Sequence, residues 1–121
     1  MSARILVVDH HDEIRRLFMV WLEGEEGLKV IGGARTAAEA VEALRREPAD
    51  VVLLDLDMAN GMGASAIQTV RDAFPDICIV GMSWDHSPER IARMLDAGAC
   101  CLFDKADKLP GLVRAVRKCL E

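Results

Sequence analysis

The chain contains no tyrosine, and its aromatic fraction is only 4%. Stacking on nucleotide bases needs several exposed rings, so that mode of nucleic-acid binding is not expected. Positive charge is also short. Fifteen Lys and Arg stand against 20 Asp and Glu, a formal charge of −5, which is the wrong sign for gripping a phosphate backbone. No apolar run approaches the ~20 residues that a bilayer requires. The start Met1-Ser2-Ala3-Arg4 leads into a short apolar segment ending at Asp9, unlike a signal peptide. A cytoplasmic protein with no direct nucleic-acid or membrane contact is expected. Cysteine is sparse: Cys78, Cys100, Cys101 and Cys119 lack the CxxC spacing of a zinc or redox site and read as reduced thiols inside the fold. Adjacent Cys100 and Cys101 in a strand point to opposite faces, which argues against a redox pair between them.

What is present is an aliphatic chain of 121 residues, 51% hydrophobic and 29% charged, the size and make-up of one globular domain. Continuous apolar runs recur at Ile5 to Val8, Leu28 to Ile31, Val51 to Leu54, Ile77 to Met82 and Cys100 to Phe103, as expected of strands covered on both faces. Helical segments lie between them. Ile14, Leu17, Phe18, Trp21 and Leu22 form one apolar stripe that points Trp21 at the core. Thr36 and Glu39 read as a capping box, and the second helix stops before Pro48. The third covers about Ala64 to Phe74. The fourth opens Ser87-Pro88-Glu89 and closes at Gly98. The fifth follows Asp107 and turns Leu112, Val113, Val116 and Leu120 inward. Alternating strand and helix with right-handed crossovers gives an α/β fold, a parallel sheet between two helix layers.

In such sheets, chemistry collects beyond the carboxyl ends of the strands. Asp9 and His10 follow the first strand, Asp55 and Asp57 the third, Ser83 the fourth, and Asp104 and Lys105 the fifth. Carboxylates brought together repel and call for a cation, and hard oxygen ligands suit magnesium. A metal-clamped carboxylate with a lysine and a hydroxyl fits phosphoryl transfer, with the carboxylate itself as nucleophile.

The ordered set Ile5-Leu6-Val7-Val8-Asp9, Val51 to Met58 around Asp55, the strand ending in Ser83, and Gly98-Ala99 leading to Lys105 resembles the bacterial two-component response-regulator receiver domain. Gly63, eight residues past Asp55, belongs to the same pattern. The pattern is closest to receivers that precede a helix-turn-helix output domain, although residues 1–121 read as a receiver domain alone. The resemblance implies a doubly wound, flavodoxin-like fold of five parallel strands in the order 2-1-3-4-5 with five helices in two layers. It implies Asp55 as phosphoacceptor from a sensor histidine kinase, and Asp9, Asp55 and the Asp57 backbone carbonyl as magnesium ligands. Ser83 and Lys105 would engage the phosphoryl group. The fourth helix, fifth strand and fifth helix would switch, and would be the candidate homodimer surface. At most a slow self-dephosphorylation is expected, not an enzyme.

The chain departs from the family pattern in several places. Asp9-His10-His11-Asp12 stands where two adjacent acids are usual, so a direct metal ligand is replaced at His10. Weakened magnesium binding or an altered metal preference follows, or else a protonated His10 serves as a built-in cation. His11 and His86 read as surface residues. Leu102 occupies the usual place of the aromatic switch, Trp84 follows Ser83 where a small residue is common, and Ala59 replaces a proline. Trp84 either narrows the path to Asp55 or packs over the rim. Two rival readings remain. One is a degenerate receiver that binds partners without phosphate. The other is a haloacid-dehalogenase-like phosphatase, suggested by Asp55-Leu56-Asp57 after four apolar residues.

Overall fold

A computed structural model describes residues 2–57 and 63–121. Five strands alternate with five helices: β1 Ala3–Val8, α1 Asp12–Glu23, β2 Leu28–Ala34, α2 Ala37–Arg46, β3 Val51–Asp55, α3 Gly63–Ala73, β4 Cys78–Ser83, α4 Pro88–Ala97, β5 Cys101–Asp104 and α5 Leu109–Cys119. All pairings are parallel, in the order β2-β1-β3-β4-β5. The expected fold is the observed one.

The period of two along each strand divides the core between the sheet faces. Leu6, Val8, Val52, Leu54 and Ile79 pack with Ala40, Val41 and Leu44 of α2, Ile67 and Val70 of α3, and Met94 of α4. Ile5, Val7, Leu53, Val80 and Met82 pack with Phe18 and Leu22 of α1 and with Leu112, Val113 and Val116 of α5. β3 and β4 are buried along their whole length, which is why they read as unbroken apolar runs. Gly81 lets two leucines approach closely here. A Cβ on it would lie 2.6 Å from Leu56 Cδ1 and 2.8 Å from Leu102 Cδ2.

Several local expectations need correction. Trp21 does not point at the core: it is 39% exposed, as Ile14 and Leu17 are at 40% and 42%. Only Phe18 and Leu22 of the stripe are buried, and Trp21 meets the Phe18 ring edge-on. The remaining stripe residues instead line a groove of about 580 Å³ shared with α5. Leu120 lies past the end of α5 and is exposed. Thr36 Oγ1 accepts from the Glu39 N–H, but the Glu39 carboxylate accepts from the Arg35 N–H, one residue before the cap. His86 is half-buried, and its Nε2 is buried without a hydrogen-bond partner. Cys100 is exposed, not inside the fold. It faces Arg71 of α3 while Cys101 faces Cys119 of α5, so the two do take opposite directions.

Candidate functional site

The carboxyl ends of β1, β3, β4 and β5 are finished by the same local device. A strand-end oxygen accepts the N–H two residues on: Asp9 from His11, Asp55 from Asp57, Ser83 from Asp85, and Asp104 from Ala106. These turns are natural to Asp and Ser, whose short side chains mimic a backbone carbonyl.

Asp9, Asp55 and Ser83 are buried at 0%, 0% and 1% exposure. Asp55 Oδ1 accepts from Lys105 Nζ at 2.6 Å and from the Asp57 N–H at 2.9 Å. Lys105 is placed by its own N–H, which bonds the Ser83 carbonyl across the β4 and β5 ends. The Asp57 carboxylate forms a second cluster. It accepts from Ser83 Oγ at 2.8 Å and from the Trp84 N–H at 2.8 Å, and it lies 3.5 Å from the Arg90 guanidinium and 3.8 Å from Lys105 Nζ. Arg90 also donates to Ser83 Oγ at 3.2 Å and to the Leu56 carbonyl at 2.7 Å.

Asp9, His11 and Asp55 each bring one ligand atom within 4.8 Å of the others. Two carboxylates at that separation repel by roughly 3 kcal/mol at an effective dielectric near 20. Burial, then the Asp55 charge, pushes the Asp9 carboxyl above its ordinary value, opposed by the His11 N–H and by Lys105. Asp9 Oδ2 and Asp55 Oδ2 are buried with no hydrogen-bond partner. Unpartnered buried carboxylate oxygens are the donors that a hard divalent cation takes, so these residues fit magnesium.

The structure brings Asp9, Asp55, Asp57, Ser83 and Lys105 to one edge, as expected. It corrects the choice of histidine: both His10 and His11 are exposed, and the imidazole that reaches the carboxylates belongs to His11, with Nδ1 3.4 Å from Asp9 Oδ1. The cation at Asp55 is Lys105. The Asp57 side chain also takes part, accepting from Ser83 Oγ. Trp84 is 65% exposed and lines the groove, and Leu102 is half-buried against the first core cluster. Ala59 lies outside the described residues. Sequence reasoning missed Arg90. A cation in the first turn of a helix opposes the macrodipole, and that misfit was the available signal.

Residues 5–117 match the family model of the response regulator receiver domain, and the chain belongs to that family. It is 33% identical over 114 residues to the response regulator GacA of Pseudomonas viridiflava, covering 94% of this chain and 53% of that protein. With the response regulator VraR of Staphylococcus epidermidis the identity is 26% over 121 residues, covering 100% of this chain and 58% of that one. The chain thus spans about half the length of these relatives. Among solved structures, a LuxR-family two-component response regulator from Aurantimonas sp. SI85-9A1 superposes with a TM-score of 0.91 at 26% identity, covering 99% of this chain and 86% of the other. The response regulator domain of Thermotoga maritima CheB gives 0.86 at 24% identity, covering 99% and 97%, and speaks to the fold alone. No helix among the described residues is long and apolar enough to cross a membrane.

Proposed function

We propose that Asp55 accepts a phosphoryl group from a phosphohistidine of a sensor kinase, in a cytoplasmic receiver formed by residues 1–121. The observation that carries this reading is a buried Asp55 carboxylate held by Lys105 at 2.6 Å, with its second oxygen, like that of Asp9, buried and unpartnered. The Asp55 carboxylate attacks phosphorus, the P–N bond to the donor imidazole breaks, and the ring nitrogen leaves with the electron pair and takes a proton. Lys105 supports the added negative charge. Asp9, Asp55 and the Asp57 carbonyl would hold magnesium, which would neutralise charge on the phosphoryl oxygens. The donor protein reaches Asp55 past an apolar groove bordered by Leu17, Trp21, Trp84, Asp57 and Lys105, which suits a partner with exposed aliphatic side chains.

Transmission follows from the same bonds. Ser83 ends β4 and is tied to Arg90 of α4, while Lys105 follows β5. Drawing Ser83 and Lys105 onto a phosphoryl group therefore biases α4, β5 and α5 together. Incubation with acetyl phosphate and magnesium, followed by intact mass measurement, tests the assignment. The parent gains one phosphoryl group and Asp55→Asn gains none. An unmodified parent, or a modified Asp55→Asn chain, refutes it.

A further inference from the structure

Cys78, Cys101 and Cys119 gather at the end of the sheet opposite the acidic site, although nothing in their spacing pairs them. Cys101 opens β5 and Cys119 closes α5, and their sulfurs lie 2.7 Å apart. That separation is only a little longer than the ~2.05 Å of a covalent S–S bond, so closure needs little movement. Both residues are half-buried, within reach of a small oxidant. Buried Cys78 stands behind them, its thiol pushed up by burial and then by neighbouring Cys119 and Cys100. Among the described residues, only Asp9, His11 and Asp55 gather tightly enough to share a metal ion, so the thiols do not form a metal site.

We propose that Cys101 and Cys119 are a peroxide-oxidisable thiol pair whose disulfide fastens the end of α5 to the start of β5. Burial pushes the Cys101 thiol up to about 12. One sulfur of the pair, as thiolate, attacks one peroxide oxygen, the O–O bond breaks, and water leaves once the departing oxygen is protonated. The second sulfur then attacks the resulting sulfenic sulfur, its proton passes to the departing hydroxyl, the S–S bond forms, and a second water leaves. Two thiols lose two electrons and two protons, and one peroxide becomes two waters. The bridge closes an 18-residue span containing all of α5, the helix that forms one side of the groove beside the acidic site.

The test treats the fully reduced chain with hydrogen peroxide, alkylates the remaining thiols under denaturing conditions, and reads intact mass and linked peptides. The parent is expected to lose two hydrogens and carry two alkyl groups. The bridge should persist in Cys78→Ser and Cys100→Ser and vanish in Cys101→Ser and Cys119→Ser. The oxidised form should melt roughly 5–12 °C above the reduced form, as an intramolecular cross-link of this length predicts, and dithiothreitol should reverse the shift. A bridge to Cys78 or Cys100, a disulfide-linked dimer, an uncrosslinked oxygen adduct, or four alkylated thiols overturns the proposal.

Discussion

Replacing Lys105 by methionine keeps the length of the side chain and removes its charge from between buried carboxylates. Lys105 is 7% exposed and Asp55 0%, and their 2.6 Å contact corresponds to about 6 kcal/mol of attraction at an effective dielectric near 20. Part of that attraction offsets the desolvation of the ammonium, so removing one partner of such a buried pair costs about 3–5 kcal/mol. Apolar burial of the methionine returns some of this, leaving an expected loss of about 2–4 kcal/mol. Urea unfolding followed by far-ultraviolet circular dichroism, in EDTA at pH 7.5, should show the midpoint fall by about 1–2 M. The deficit should also shrink on acidification. Asp9 is already shifted upward and Lys105 is one of the groups restraining it, so the variant raises its folded value further above the unfolded 3.8. A carboxyl raised on folding takes up a proton in the folded state first, and the penalty of the unpaired charge disappears as pH falls through that raised value. Magnesium should lift the midpoint of the variant more than that of the parent, because the cation then replaces the missing charge. A variant as stable as the parent in EDTA at pH 7.5, or a deficit that grows as pH falls, would refute the reasoning.

Asp57→Asn removes a negative charge beside the incoming phosphoryl group and loosens the hold on Ser83 Oγ, so phosphorylation by acetyl phosphate should accelerate about three- to tenfold, equivalent to about 1 kcal/mol. A rate at or below the parent's would mean that Asp57 does not restrain the reaction. Arg71→Ala should destabilise the fold by about 3 kcal/mol in thermal or urea unfolding, because its guanidinium donates to the carbonyls of Gly98, Pro75 and Ile77 and joins α3 to the loops before β4 and β5. Arg71→Lys should recover only part of that loss, since an ammonium cannot span the same three carbonyls.

The fold was legible because strand and helix signals agreed at every level. Val51 to Leu54 is continuously apolar because helices cover both faces of β3, and Thr36, Pro48, Pro88 and Gly98 mark helix ends by backbone chemistry that acts locally. The stripe of α1 misled for a physical reason. Periodicity reports which residues share a helix face, but not how far the neighbouring layer extends. Phe18 and Leu22 reach the sheet, whereas Ile14, Leu17 and Trp21 turn toward the open space beside α5. The cysteines were illegible in spacing because Cys101 and Cys119 meet only through the packing of α5 on β5.

At the acidic site the strand-end oxygens capture the N–H of the residue two further on, a turn that apolar periodicity does not report. That turn sends His10 into solvent and returns His11 to Asp9, and it carries the Asp57 carboxylate back across to Ser83 and Arg90. The consequence is electrostatic as well as geometric. A carboxylate two residues past Asp55 brings a second anion into the pocket, and Arg90 enters the first turn of α4 against the helix dipole to balance it. Lys105, 2.6 Å from Asp55 and 3.8 Å from Asp57, lies between both anions. On the proposed transfer, a phosphoryl group on Asp55 would compete with Asp57 for Lys105 and for the Ser83 hydroxyl. The position two past Asp55 would then set how readily that transfer proceeds.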